Sequence, residues 1–334
     1  MQDKKVVVVG GGTGTYSVLS GLKKFPLDIT AIVGVTDSGG STGRLRDEFG
    51  NLPIGDLRQA LVALADDNKE GDILRDLFLY RFNKGTGLKG HNFGNLLLTA
   101  LTDLLESEEK AFRYASKILR LKGQVLPITE EHTTLVAEYE DGSLIVGEAH
   151  IDEPHVRHDS TQKITKLSVQ PSLSISKRAR EAITEADLIV LGPGDLYTSI
   201  LANVVVTGCA KSIENSKAKI AYIVNLVTKY GQTHNFSAKD HVEEIRKYIG
   251  KYPHFILVNN GDLPNNVVVK YARANEFVVI NDLKKLPGIE IVKKDLVARS
   301  EVVRKSGDVV KRSLIRHDSE KLGRVLYSIV SAKG

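Results

Sequence analysis

Features that would assign the chain to a membrane or to an oxidising compartment are missing from its 334 residues. It has one cysteine, Cys209, which excludes an intrachain disulfide. No apolar run approaches the roughly 18 residues of a membrane span, and no signal-peptide pattern stands at its start. Internal repeats and low-complexity tracts are also lacking. We therefore expect a cytoplasmic globular protein without a membrane span.

Charge gives little indication of a polyanionic partner. The formal net charge is +5, with 26% charged and 42% hydrophobic residues, which is ordinary for a globular protein. Lysines and arginines are interleaved with acids except in residues 293–317. We interpret this basic stretch as a solvated face, and the alternative is a patch for nucleic acid or an anionic surface. We expect no nucleic-acid partner.

The order of apolar runs predicts a parallel sheet. The valine-rich run "KVVVVGGG" reads as a strand buried on both faces, and a helical stretch and the strand "DITAIVGVT" follow it. This βαβ rhythm returns from residue 177 onwards. Residues 288–334 form a basic C-terminal segment whose last helix, in "DSEKLGRVLYSIVS", is expected to pack on the sheet. The predicted fold is a single α/β domain over 1–334, Rossmann-like, with a mostly parallel sheet and flanking helices.

The middle of the chain has a different pattern. The segment "TTLVAEYEDGSLIVGEAHI" contains two alternating strands around Asp141-Gly142, a dipeptide that favours a type I′ hairpin turn. The segment "KITKLSVQ" adds a third candidate strand. We interpret residues 123–172 as a β-rich hairpin insertion within the α/β domain.

The first strand ends in the glycine-rich loop "GGGTGT" at residues 10–15, which suits close approach of the backbone to a phosphate at a helix N-terminus. The loop resembles G-x-G-x-x-G, with Thr15 in place of the last glycine. Asp37 ends the second strand, where a Rossmann fold keeps its ribose-binding acid. A nicotinamide-dinucleotide enzyme is therefore an alternative. A second phosphate-type loop directly after Asp37 counts against it, because dinucleotide folds need none there.

That second loop is "DSGGSTGRLR", and its hydroxyls and N–H groups could hold another phosphate or a sugar. Arg44 and Arg46 would supply charge-assisted hydrogen bonds. The alternative is a glycine-rich connection with two surface arginines.

Further loops carry polar groups at strand ends or helix starts. In "PIGDLR", Asp56 is interpreted as a helix cap, with Gln59 at capping-box spacing. In "GLKGHNFGN", His91 is either structural or a ligand-facing donor or base. The loop "GPGDLYTSI" is a third binding loop or a tight turn capped by Asp195, and Asn225 follows the next strand. Because ligands bind at the carboxyl ends of strands in open α/β sheets, we expect these loops to form one crevice.

The motifs together resemble the gluconeogenesis factor (YvcK) family, bacterial cytoplasmic relatives of the CofD enzyme, 2-phospho-L-lactate transferase. They are "GGGTGT", "TDSGGSTGRLRDEFGNLPIGDLRQALVALAD", "LFLYRF", "GLKGHNFGNLLLTALT" and "VLGPGDLYTSILANVVVTG", and the resemblance runs from about residue 5 to about residue 247. It implies a UDP-sugar ligand and a regulatory role in cell shape and wall synthesis during growth on gluconeogenic carbon sources. A homo-oligomer is plausible, and the motifs do not identify a protein signalling partner.

Motifs and resemblance together give a set of predicted ligand-binding residues. The set comprises Gly11, Gly12, Thr13, Gly14, Asp37, Gly39, Gly40, Ser41, Thr42, Arg44, Arg46, Asp56, Arg58, His91, Asn92, Asn95, Gly192, Gly194, Asp195, Tyr197, Thr198, Ser199 and Asn225.

Three departures from the family pattern bear on mechanism: Ser38 replaces the second acid of "DDGG", Gln59 replaces an asparagine, and Asp195 replaces the serine of "GPGS". Phosphoryl transfer usually relies on Mg²⁺ held by carboxylates and phosphate oxygens. The loss of one acid leaves Asp37 as the candidate metal ligand on its loop. We favour a regulator without catalysis. The alternative is a CofD-like, Mg²⁺-dependent transferase that moves a phosphate-linked group from a nucleotide donor to an alcohol, with Asp37 and His91 as candidate catalytic residues.

Overall fold

The computed structural model describes residues 3–38, 42, 45, 52–67, 69–154, 158–299 and 314–332. The first βαβ unit consists of β1 (Lys4–Gly10), α1 (Gly12–Leu22) and β2 (Leu27–Val33), and β1 and β2 pair in parallel with Val6 opposite Ile29. Val6, Val8 and Val9 are fully buried, as the continuous apolar run predicts for a central parallel strand.

Seven parallel strands form the main sheet, which confirms the predicted fold class. The remaining strands of this sheet are β3 (Gln124–Pro127), β7 (Leu188–Leu191), β8 (Lys219–Ile223), β9 (Phe255–Asn259) and β10 (Glu290–Lys294). The strand order is β10-β9-β8-β7-β1-β2-β3. The chain therefore builds outward from β1 in one direction and then returns to add β7 on its other side. This reversal creates a topological switch point between β1 and β7, where such folds bind ligands.

Helices connect the strands of the sheet. After α1 they are α2 (Gly55–Leu64), α3 (Lys69–Leu79), α4 (Phe93–Leu105), α5 (Glu108–Ile118), α6 (Glu148–Asp152), α7 (Lys177–Glu185), a π-helical turn (Leu196–Leu201) that runs into α8 (Ala202–Val204), α9 (Cys209–Asn215), α10 (Ala238–Ile249), α11 (Asn265–Ala272) and α12 (Ser319–Ser331). None of the helices in the described ranges combines the length and the apolar character that crossing a bilayer requires.

The insertion forms a small antiparallel sheet of β4 (Thr134–Tyr139), β5 (Leu144–Val146) and β6 (Ile164–Gln170), in the order β5-β4-β6. The predicted hairpin and third strand are confirmed. The predicted span of 123–172 is too long, because β3 pairs with β2 in the main sheet.

The predicted type I′ turn of this hairpin is wrong. The Gly142 N–H donates to the Tyr139 carbonyl at 2.9 Å, and Gly142 has a φ of +80°, but Asp141 is not among the residues with positive φ. A type I′ turn needs positive φ at both central residues. The Gly142 conformation and the bond from the Tyr139 N–H to the Ser143 carbonyl instead match a type I turn followed by a glycine bulge.

The last helix packs chiefly against α1 and also contacts β1. The two helices approach closely at a pair of glycines. A Cβ added to Gly21 would lie 1.9 Å from the Ser319 carbonyl oxygen, and one added to Gly323 would lie 2.7 Å from backbone atoms of Gly21. This contact fixes the position of α1, which begins at the switch point.

We expect Gly323→Ala to destabilise the protein by about 1–3 kcal/mol, because overpacking at a backbone contact outweighs the gain in helix propensity. The measurement is the thermal unfolding temperature. Gly87→Ala is the matched control, since nothing lies within 4 Å of a Cβ at that position. An equal unfolding temperature for the two variants would contradict the inferred tight contact.

Candidate functional site

Two of the predicted loops touch each other at the switch point. A Cβ on Gly14, in the loop after β1, would lie 2.1 Å from the Pro193 carbonyl oxygen in the loop after β7. Gly192 needs its φ of +77° to make the turn out of β7. Asn225, which follows β8, donates from Nδ2 to the Gly194 carbonyl at 2.8 Å. Three loops that are far apart in sequence thus meet at the carboxyl ends of neighbouring strands, the place of the predicted crevice.

The N-terminus of α1 opens into this crevice. Gly11 is its N-cap without a side-chain cap, and the first turn contains no acid. Gly12, Thr13 and Gly14 are each partly exposed. Glycine and threonine N–H groups at a helix N-terminus form a ready site for an anionic group.

Asp56 contacts α1 and does not cap its own helix. The N-cap of α2 is Ile54, which has no side-chain cap, so the predicted capping role of Asp56 is wrong. Its carboxylate accepts a hydrogen bond from the Gly12 backbone N–H instead. A Cβ on Gly11 would lie 2.1 Å from Asp56 Oδ2, which shows how closely α2 approaches the glycine loop. The physical reason for the difference is tertiary, since the carboxylate turns toward the positive end of another helix.

Asp37, which follows β2 in the chain, lies beside Asp56 of α2. A Cβ on Gly55 would lie 2.5 Å from Asp37 Oδ2 and 2.6 Å from Thr42 Oγ1. Burial, followed by the charge of Asp37, raises the pKa of Asp56 to about 7. Two carboxyls at one strand end repel each other unless a proton or a cation lies between them.

Glu148, at the start of α6, brings a third acid to this group. Burial, followed by the charge of Asp37, raises its pKa to about 9. Its Oε2 accepts a hydrogen bond from the Ser38 N–H at 3.5 Å, and Ser38 Oγ accepts one from the Ala149 N–H at 3.1 Å. The insertion therefore reaches back to the β2 loop. The sequence analysis did not identify Glu148, because no motif or spacing distinguishes it from the surface acids around it.

A second acidic pair lies on the β7 side. Burial, followed by the charge of Asp152, raises the pKa of Asp195 to about 7. Lys229 Nζ lies 3.4 Å from Asp152 Oδ1, and Gln232 Nε2 donates to the same oxygen at 3.0 Å. Asp195 is the N-cap residue of the π-helical turn, but its side chain makes no capping hydrogen bond, so the alternative of a turn capped by Asp195 is wrong. Lys229 and Asp152 are further residues that the sequence analysis missed.

Several predicted site residues bind the protein itself. Arg58 is buried, and it donates from Nε to Asn95 Oδ1 at 2.7 Å and from Nη1 to the Phe78 carbonyl at 3.1 Å. Asn92 Oδ1 caps α4 by accepting from the Asn95 N–H at 3.1 Å, and Asn95 Nδ2 lies 3.4 Å from Thr42 Oγ1. This network supports the loop that contains Thr42.

The remaining predicted residues divide into buried and partly exposed positions. His91 and Thr198 are buried, and Tyr197 is fully buried with its hydroxyl 3.5 Å from the Ile164 carbonyl. Ser199 is partly exposed, and its Oγ lies 3.9 Å from a Cβ placed on Gly12. Gly39, Gly40, Ser41, Arg44 and Arg46 lie outside the described residues.

The carboxylates fit Mg²⁺ only together with a ligand. Within the described ranges, no group of three or more His, Cys, Asp or Glu side chains is arranged to hold a metal ion. Mg²⁺ commonly takes one or two carboxylates and completes its shell with water and substrate phosphates. Asp37 and Asp56, beside the N-terminus of α1, match that smaller requirement.

Comparison with known proteins identifies the relationship. The family described as 2-phospho-L-lactate transferase CofD matches residues 6–297. The chain belongs to this CofD family. A gluconeogenesis factor of Bacillus subtilis is 38% identical over 333 residues, which cover 98% of this chain and 99% of that protein. A gluconeogenesis factor of Halalkalibacterium halodurans is 40% identical over 293 residues, which cover 87% of this chain and 88% of that protein.

A solved structure shows the same architecture in a relative. A UPF0052 family protein of Bacillus halodurans superposes with a TM-score of 0.86 at 36% identity, covering 98% of this chain and 99% of that one. The resemblance inferred from the motifs is confirmed, and this CofD family member groups with the gluconeogenesis factors.

Proposed function

We propose that this chain is a cytoplasmic regulatory protein that binds a UDP-sugar in the crevice between β1 and β7. The observation that carries the proposal is the convergence of the loops after β1, β7 and β8 beside the glycine-rich N-terminus of α1. We further propose a role in cell shape and wall synthesis during growth on gluconeogenic carbon sources, which the family resemblance of the motifs implies.

The diphosphate would bind at the start of α1. The backbone N–H groups of residues 13 and 14 and the side chains of Thr13 and Ser199 would be the donors, and the helix dipole favours a negative charge there. Gly14 must lack a side chain because Pro193 lies where its Cβ would be. The glycines thus bring two loops close enough together to contact one ligand.

Mg²⁺ would bind between this diphosphate and the acids. The charge of Asp37 already raises the proton affinity of Asp56, and a phosphate beside them would add further negative charge. A divalent cation held by the two carboxylates and the phosphate oxygens would neutralise this charge. We therefore expect nucleotide binding to depend on Mg²⁺.

The transferase alternative draws its support from the CofD family match. In that mechanism a phosphate-linked group would pass from a nucleotide donor to an alcohol, and the ligand would be consumed. Incubation with UDP-glucose or with GDP-linked donors, with and without Mg²⁺, separates the two functions. Recovery of intact nucleotide by chromatography supports the regulator, and formation of a product supports the enzyme.

We expect UDP-glucose with Mg²⁺ to raise the unfolding temperature of this protein, since a ligand at about 100 times its Kd stabilises the folded state by about 2.7 kcal/mol.

Thr13→Val should weaken the binding of both UDP and UDP-glucose by about tenfold, because it removes one hydrogen bond to a charged group and keeps the side-chain shape. A thermal melt measures the change in unfolding temperature, and titration calorimetry measures the two affinities. Thr102→Val, at a helix position outside the crevice, is the matched control. The proposal fails if the parent protein binds no uridine nucleotide, or if Thr13→Val and Thr102→Val bind alike.

A further inference from the structure

A second cavity opens beside the crevice, between the β2 loop and the small sheet. Its volume is about 550 Å³, within the roughly 300–1,000 Å³ that is usual for small-molecule sites. Ser38, Thr134, Ala149, His150 and Gln170 are among the residues that line it. The cavity is formed where the insertion contacts the main domain.

Ser38 connects the cavity to the crevice. Its side chain lines the cavity, while its neighbour Asp37 lies with Asp56 at the strand ends. The Ser38 N–H donates to Glu148, and Ser38 Oγ accepts from the Ala149 N–H, which leaves the hydroxyl hydrogen to donate to another group. A ligand whose phosphates bind at α1 could therefore extend past Asp37 into the cavity.

The lining chemistry indicates what the cavity would accept. The described residues that line it include hydroxyls, imidazoles and one carboxamide, but no Asp, Glu, Lys or Arg. The smaller cavity of about 190 Å³ near Lys5 and Arg178 is instead lined by several charged side chains. Neutral donors and acceptors without a fixed charge suit a polyhydroxylated group and offer nothing to neutralise a phosphate.

We infer that this cavity is the sugar subsite, and that Thr134, His150 and Ser38 hydrogen-bond the hydroxyls of the hexose of a nucleotide sugar. This inference rests on the proposed function. It assigns the diphosphate and the sugar to two neighbouring places. The diphosphate lies at the glycine loop, and the hexose lies against the insertion. Binding of the sugar then couples the small sheet to the nucleotide site.

The test compares UDP with UDP-glucose in the presence of Mg²⁺, by titration calorimetry. In the double variant with Thr134→Val and His150→Ala, the affinity for UDP-glucose should fall about tenfold or more, since two neutral hydrogen bonds are lost. The affinity for UDP should not change. Thr165→Val is the matched control on the same small sheet, because its hydroxyl bonds the Glu138 carbonyl and does not line the cavity.

The possible outcomes separate the subsite from the function on which it rests. A selective loss of UDP-glucose affinity supports the subsite, provided that circular dichroism shows a folded double variant. Two results overturn the subsite while nucleotide binding by the parent protein stands. In one, the double variant binds UDP-glucose as tightly as the parent does. In the other, its affinity for UDP falls as much as its affinity for UDP-glucose. If the parent binds neither UDP nor UDP-glucose, both proposals are overturned.

Discussion

With a metal chelator present and no ligand added, the unfolding temperature of this protein falls as the pH rises from about 5 to about 9. Burial raises the pKa of Asp56 and of Asp195 to about 7 and that of Glu148 to about 9, with neighbouring acids adding to each shift. A carboxyl with a raised pKa binds its proton more tightly in the folded state. It therefore stabilises the folded state at pH values below its ordinary pKa. This stabilisation is lost as the pH rises through the pKa that the carboxyl has in the folded state.

The size of this effect follows from three groups acting together. A shift of one pKa unit corresponds to about 1.4 kcal/mol, so even one unit for each carboxyl amounts to about 4 kcal/mol. In a domain of this size, that corresponds to a fall in unfolding temperature on the order of 10 °C. The decrease should be steepest between about pH 5 and about pH 7, where the folded state still holds protons that the unfolded state has lost, and Glu148 alone should continue it more gently toward pH 9.

Glu148→Gln provides the decisive comparison for the upper part of the profile. Glutamine can still accept the hydrogen bond from the Ser38 N–H, but it cannot ionise beside Asp37. We expect the variant to be more stable than the parent at about pH 9, and its profile to flatten above about pH 8. Glu290→Gln, on the exposed edge strand β10, should reproduce the parent profile. A parent whose stability is constant or rises over this range would show that these acids are not buried together.

The sheet and the position of the crevice could be predicted because both depend on local patterns. Continuous valine and isoleucine runs mark buried parallel strands, and the topology then brings their carboxyl ends to one edge. The loops at residues 10–15 and 192–199 and the side chain of Asn225 therefore meet as expected. Their use as a nucleotide site stays a prediction.

The misplaced and missed residues depend on tertiary contacts. Asp56 stands at capping-box spacing, but the neighbouring helix α1 offers its carboxylate a better donor than its own helix does. Glu148 reaches the site through a hydrogen bond to a residue 110 positions away, which only the docking of the small sheet decides. The Asp141-Gly142 dipeptide is compatible with either hairpin turn. Local patterns thus predict elements, while packing between elements decides which polar groups meet.

Lys229→Met should destabilise the protein by about 2–3 kcal/mol at pH 8. Burial alone would lower the pKa of Lys229, but the charges of Asp152 and Asp195 outweigh it and raise the pKa above its ordinary value. Methionine keeps the volume of the side chain and removes the cation, which leaves the two acids facing each other. Breaking a buried pair typically costs about 3–5 kcal/mol. We expect less here because 24% of the Lys229 side chain remains exposed.

Asp195→Ser tests the electrostatic cause of that loss. If the cost of Lys229→Met comes from uncompensated acids, adding Asp195→Ser should recover most of it, because one of the two like charges is then gone. The loss should also be smaller at about pH 5, where the acids can take up a proton. Lys4→Met is the matched control: its ion pair with Asp187 is shorter, at 2.7 Å, but 53% of the Lys4 side chain is exposed, so we expect a cost of about 0–1 kcal/mol. If Asp195→Ser rescues nothing, Lys229 stabilises the fold through the packing of its aliphatic chain, and the acids on the β7 side are independent of it.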